Sequence, residues 1–126
     1  MDENRTVVIR AHGLELAAEI YHNETGDKIL AGLPIAGRAN RWGDEIYFSI
    51  PLSLPRAPDA RDVVQAGELG YWPDGNSFCI FFGKTPISRG DEIQAASPVN
   101  IFGRVTGDPT LLASVNDGQE ITVDRR

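Results

Sequence analysis

A mostly β domain, its sheet closed into a barrel of about eight strands with two short capping helices, is what this sequence predicts. Its 13 glycines and 8 prolines fall as punctuation between short apolar segments rather than in one tract. Several of those segments alternate apolar and polar residues with the period of two that marks a strand with one wet face. At 126 residues, with 41% apolar and 24% charged residues, the chain has the size and composition of one globular domain, residues 1–126. No linker, repeat or low-complexity tract divides it.

Thr6 to Ala11 is rich in β-branched residues, and Leu14, Leu16, Ala18 and Ile20 alternate with Glu15, Ala17 and Glu19. The two segments read as a hairpin turning at His12-Gly13. Asn23 or Thr25 can cap a short helix with Ile29, Leu30 and Leu33 on one side, stopped by Gly32 and Pro34. Glu45 to Ile50 alternates again, with Ile46, Phe48 and Ile50 inward, Glu45, Tyr47 and Ser49 outward, and Pro51 and Pro55 ending the strand. Leu52 to Asp62, interrupted by Pro55 and Pro58, reads as a surface loop. Val63-Val64 reads as a short strand before a turn at Gly67. Glu68 to Trp72 then passes through the turn Pro73-Asp74-Gly75-Asn76 into Ser77 to Phe82, which is apolar on both faces and must be covered on both.

Pro86 to Glu92 reads as a loop, and Val99, Ile101, Gly103 and Val105 as a further alternating strand. Asp108-Pro109 offers a cap and a first-turn proline for a short helix over Leu111 to Val115, ended by Gly118. The rival reading makes Asn116-Asp117-Gly118 a hairpin turn between two strands. Ile121 and Val123 close the chain as a last strand.

The formal net charge of −6 and the absence of a basic run make nucleic acid and anionic membrane poor partners. No segment has the ~20 apolar residues of a membrane helix, and the polar, acidic start from Met1 to Arg10 is unlike a signal peptide. With its single cysteine, the protein is expected to be cytoplasmic. His12 and His22 lie on different segments and no cysteine pair exists, so no metal site is expected, and nothing points to a cofactor. Asp44-Glu45 and Asp91-Glu92 are neighbours that a strand would point to opposite faces, which reads as solvated charge rather than an acid–base pair. Nucleophile-elbow, Walker and dinucleotide-binding motifs are all missing. Cys79, between Phe78 and Ile80, sits where desolvation raises a thiol pKa, which reads as a core cysteine.

The aromatic residues carry more information. Eight of the ten fall in two segments, Trp42 to Phe48 and Tyr71 to Phe82. Alternation turns some of them away from the barrel axis, and an aromatic-lined groove on the outer wall follows.

Four strings, Arg41-Trp42-Gly43-Asp44-Glu45-Ile46-Tyr47-Phe48, Tyr71-Trp72-Pro73-Asp74-Gly75-Asn76, Ile80-Phe81-Phe82-Gly83-Lys84-Thr85-Pro86 and Ser97-Pro98-Val99-Asn100, resemble the bacterial and archaeal cyclophilin-like barrel family, a family of unknown function. The resemblance covers most of the chain and implies an eight-stranded barrel capped by short helices. In the peptidyl-prolyl isomerases of that fold, an arginine on the outer wall polarises the prolyl amide. Laying the isomerase string Gly-Ser-Thr-Phe-His-Arg on Gly43 to Phe48 puts Phe48 in the arginine's place, or Tyr47 with a one-residue slip. A second isomerase string, laid on Asp74 to Ile80, turns the groove-facing glutamine and phenylalanine into Ser77 and Cys79, with Phe81 next on that face.

The expected ligand-binding set is therefore Arg41, Glu45, Tyr47, Trp72, Ser77, Cys79 and Phe81. Arg41 is the one candidate for a relocated catalytic arginine. The leading expectation is a module that binds a small molecule or an extended peptide in the outer groove. A prolyl isomerase using Arg41 is the alternative, and a domain acting through subunit or partner contacts around Pro51 to Pro58 is a third. The sequence leaves the oligomeric state open.

Overall fold

The computed structural model describes residues 4–126, so the first three residues of the polar start lie outside it. The chain is mostly β. β1 (Thr6–Ala11) and β2 (Leu14–Ile20) form the expected hairpin, and its turn places His12 and Gly13 at positive φ. α1 (Glu24–Ala31) follows, with the Asn23 side chain accepting the Gly26 N–H at 2.8 Å and Gly32 as its C-cap. It buries Ile29 and Leu30, while Leu33 falls beyond the last turn and packs partly exposed against the same core. β3 (Ile35–Arg38), β4 (Asn40–Arg41), β5 (Glu45–Ser49), β6 (Arg61–Val64), β7 (Glu68–Trp72), β8 (Ser77–Phe81), β9 (Ile93–Val105) and β10 (Glu120–Arg125) complete the strands. Between β9 and β10 the two sequence readings are both half right. A 3-10 helix over Pro109–Ser114, capped by Asp108, is followed by a turn in which Gly118 has positive φ.

The expected closed eight-stranded barrel is corrected in two respects. Among the described residues the sheet has 10 strands, in the order β3-β10-β1-β2-β9-β7-β8-β5-β4 with β6 on β9, and no hydrogen-bond ladder joins its two ends. The ends are instead consecutive in the chain: β3 pairs with β10 and β4 pairs with β5, with buried Ala39 between them. Ala39 spends both backbone groups on the turn before β10, donating to the Gln119 carbonyl and accepting from the Gly118 N–H at 2.8 Å each. At Gly37 the absent side chain makes room for Phe48, whose Cδ2 would stand 2.9 Å from any Cβ there.

Alternation along β5, β7 and β8 sorts their residues into two apolar clusters. Ile46, Phe48, Leu69, Tyr71, Phe78 and Ile80 face inward and join residues of β1, β2, β10 and α1; the 3-10 helix adds Leu112. Phe48 stacks on Phe78 and Phe78 meets Phe102 edge-on, with centroids 5.1 and 5.0 Å apart. The opposite face of β8 carries Cys79 and Phe81, which pack with Val64, Ile93, Ala95 and Val99. Both faces of Ser77 to Phe81 are thus covered, as its apolar run required.

The outer cover comes from β6 and the first half of β9. β9 is longer than the Val99 to Val105 strand the alternation suggests: its second half pairs with β2 and β7, its first half with β6. Glu68, buried at the start of β7, grips Arg61 of β6 through two hydrogen bonds of 2.9 and 2.6 Å and accepts the Gln65 N–H at 2.7 Å. This ion pair raises the Arg61 pKa further and clamps the cover to the wall. The loop between β5 and β6 is also tied down. Buried Asn100 accepts from the Ala57 N–H and donates to the Pro55 carbonyl, and the Tyr71 hydroxyl accepts from the Leu54 N–H at 3.1 Å.

Candidate functional site

The register between β5, β8 and β7 builds a cleft on the outer wall. Glu45 lies opposite Phe81, Tyr47 opposite Cys79, and Trp72 opposite Ser77, so these side chains share the face turned from the inner core. The cover formed by β6 and β9 stops short of Tyr47 and Trp72, which stay partly exposed. Between them and Ala95, Ala96 and Val99 of β9 opens a cleft of about 290 Å³, also lined by Trp42 and Glu45.

Each wall is held by local structure. Tyr47 and Trp72 meet edge to face at 74°, with centroids 6.2 Å apart. The Trp72 indole N–H donates to Ser97 Oγ at 2.6 Å, and that hydroxyl donates to Asp74 Oδ2 at 2.8 Å. Gly75, in the 3-10 turn after β7, lies directly beneath the Trp72 ring, where a side chain would collide with it. Trp42 and Glu45 bracket the β4–β5 turn and exchange backbone hydrogen bonds of 3.0 and 3.2 Å, which sets the two residues opposite each other, both on the cleft.

Glu45 is the one ionisable side chain of aspartate, glutamate, lysine or arginine type in this lining. It is 6% exposed, on a face where the alternation suggested a solvated charge. It takes part in none of the ion pairs among the described residues. Burial pushes its pKa from the ordinary 4.5 to about 7, with the neighbouring Cys79 thiol, which points its own hydrogen at the Ser77 carbonyl, pulling weakly the other way. The same burial, with the Glu45 charge beside it, raises the Cys79 thiol well above its usual range, so Cys79 stays a neutral donor and not a nucleophile.

Of the residues expected in the groove, Glu45, Tyr47 and Trp72 line the cleft. Cys79 and Phe81 lie beneath it in the outer cluster, 1% and 0% exposed. Ser77 is buried with its hydroxyl turned to the Gly75 carbonyl at 2.9 Å. Arg41 is elsewhere: its guanidinium donates to the carbonyls of Gly43, Ala113 and Val115, pairs with Asp44 at 3.3 Å and lies 5.0 Å above the Phe82 ring. It ties the end of the 3-10 helix to the β4–β5 turn. Of the two positions tried for the isomerase arginine, Phe48 is in the inner core and Tyr47 is on the cleft. The expected set omitted Trp42, although it opens the first of the two aromatic segments, and Val99, whose alternating strand was read without a place on the groove; Ala95 and Ala96 carried no signal.

A second cleft, of about 260 Å³, lies between the start of α1 and the proline loop, but its buried Asn100 already spends its amide on Thr25, Pro55 and Ala57. Among the described residues no three His, Cys, Asp or Glu side chains converge as a metal site would need. No helix among them is long and apolar enough to cross a membrane.

The comparisons with known proteins agree with the fold. Residues 5–124 match the family model described as Cyclophilin-like. A hypothetical protein from Archaeoglobus fulgidus, known from a solution structure, is 40% identical to this chain, with the match covering 98% of this chain and 95% of its own and a TM-score of 0.81. No curated protein matches. With a family match over nearly its whole length and a relative 40% identical across 98% of it, this chain belongs to the cyclophilin-like family.

Proposed function

We propose that this chain is a single-domain binding module that takes a small ligand in the cleft between Trp42, Glu45, Tyr47 and Trp72. One observation carries the reading: a buried carboxyl without a cationic partner faces an apolar cleft whose aromatic walls are only partly covered. Burying such a group costs stability and packing alone gives no return for it, whereas a ligand that engages it does. The volume, about 290 Å³, is at the lower end for ligand sites and suits a small molecule or one head group rather than a long peptide. The isomerase reading has no comparable support, because Arg41 spends its donors on backbone carbonyls away from the cleft.

The test is chemical-shift mapping of the ¹⁵N-labelled protein against a small-fragment library. Binders should move the amides of Glu45, Tyr47, Trp72, Ala95 and Ala96 together. Shifts confined to the cleft at Asn100, or none above background, would overturn the proposal.

A further inference from the structure

Resting on that reading, we infer that the cleft selects an organic cation whose nitrogen is fully alkylated, a quaternary ammonium group, held against the faces of Trp42, Tyr47 and Trp72 with Glu45 as its counter-ion. Three features of the lining point to this class. The first is shape: Tyr47 and Trp72 stand at 74° rather than parallel, so they present two differently directed ring surfaces, as a rounded head group needs and a flat ring does not. Aromatic faces attract cations through their quadrupole, most strongly where water is excluded.

The second is charge. Glu45 brings one negative charge to the cleft, and the chain as a whole carries −6. Neighbouring cations do not neutralise it: Arg41 is held by Asp44 and three carbonyls, and Lys84 is exposed beyond the β4–β5 turn.

The third is the shortage of hydrogen-bond acceptors. Among the lining side chains only the Glu45 carboxylate and the Tyr47 hydroxyl can accept, and the rest are indoles, alanines and a valine. A primary ammonium would bring three N–H donors and would need both Glu45 carboxylate oxygens and the Tyr47 hydroxyl at once to satisfy them on burial. A quaternary ammonium brings charge with no donor to satisfy. The cleft therefore discriminates by what the ligand lacks as well as by its charge.

The experiment titrates the full chain by calorimetry and NMR at pH 8, above the raised Glu45 pKa of about 7. The probes are choline, its neutral isostere 3,3-dimethyl-1-butanol, and ethanolamine. Choline should bind with shifts at Tyr47, Trp72 and Ala96, and both comparison compounds at least about tenfold more weakly, as one well-placed charge in an aromatic site allows. Glu45→Gln should lower choline affinity at least about tenfold and leave the isostere unchanged. Tyr47→Leu, which keeps an apolar wall but removes a ring face, should weaken choline more than the isostere. Binding of the isostere or ethanolamine in the cleft as tightly as choline would overturn the inference while the binding reading stands. If choline fails but library fragments still move the cleft amides, the cation is again wrong and the site survives. If neither choline nor any fragment moves them, both fall.

Discussion

The two faces of β5, β7 and β8 are built from alternate residues of the same strands, yet they have been finished differently. Inward, Phe48, Phe78, Ile80 and Leu69 fill their space completely, and the one hydroxyl among them, on Tyr71, is tied to the β5–β6 loop. Outward, Cys79 and Phe81 are sealed by β6 and β9, but the seal ends beside Tyr47 and Trp72 and leaves a buried carboxyl at its edge. The buried acids of the outer wall differ in the same way. Glu68 has Arg61 and a backbone N–H, and it holds the cover down; Glu45 has no ion-pair partner among the described residues and stands among aromatic walls. One face behaves as a core, while the other sets aside part of its packing for an acid in an open cleft.

The largest expected effect lies inside. Phe78→Ala should remove about 3–5 kcal/mol of stability, read from the urea midpoint, because the ring is fully enclosed between Phe48 and Phe102. A loss below ~1 kcal/mol would mean that the inner face is not the close-packed one.

Next comes Glu45. Below pH 4.5 its carboxyl holds a proton in both the folded and the unfolded chain, so the group is neutral in the balance. Between 4.5 and about 7 the unfolded chain releases the proton and the folded chain keeps it, so stability falls as pH rises, and above about 7 the full penalty is present. A shift of that size corresponds to about 3 kcal/mol. Glu45→Gln should therefore be more stable than the parent at pH 8 by up to about 3 kcal/mol and indistinguishable from it at pH 4. A variant that is destabilised at pH 8 would show the carboxylate to be well satisfied in the fold and would erase the contrast with Glu68.

The smallest expected effect is at Trp72. Partly exposed, it should cost about 2 kcal/mol when truncated to Ala, clearly less than Phe78, while choline or fragment binding drops sharply. Equal losses at both positions would make Trp72 a core plug.

Much of the inner face was legible in the sequence, because period-two alternation is strong where one side of a strand is wet. Ile46, Phe48 and Ile50 are inward, and Leu16, Ala18 and Ile20 are buried as their spacing suggests. The unbroken apolar run Ser77 to Phe81 also announced that something must cover its far side. What covers it was not legible. The first half of β9, Ile93 to Pro98, carries Gln94, two alanines, a serine and a proline, a composition closer to a loop than a strand, and it becomes a strand by pairing with β6. The burial of Glu45 escaped for the same reason, since the residues that desolvate it come from segments distant in the chain. Arg41 was singled out for its charge. That charge is spent on the carbonyls at the end of a 3-10 helix more than seventy residues away in sequence, a tertiary contact that local pattern does not encode.

Both tryptophans of the chain line the cleft, and the aromatic residues of the inner core are phenylalanines and a tyrosine. Indole emission from this protein is therefore a local gauge of the outer wall and is blind to the core. An emission-detected denaturation curve follows the lifting of β9 and β6 from Trp42 and Trp72, whereas far-ultraviolet circular dichroism follows the sheet itself. Where the two curves coincide, cover and core come apart as one cooperative unit. Where emission changes first, the cleft opens while the sheet is intact, and the protein has a loosened outer layer through which a guest can enter and leave without global unfolding.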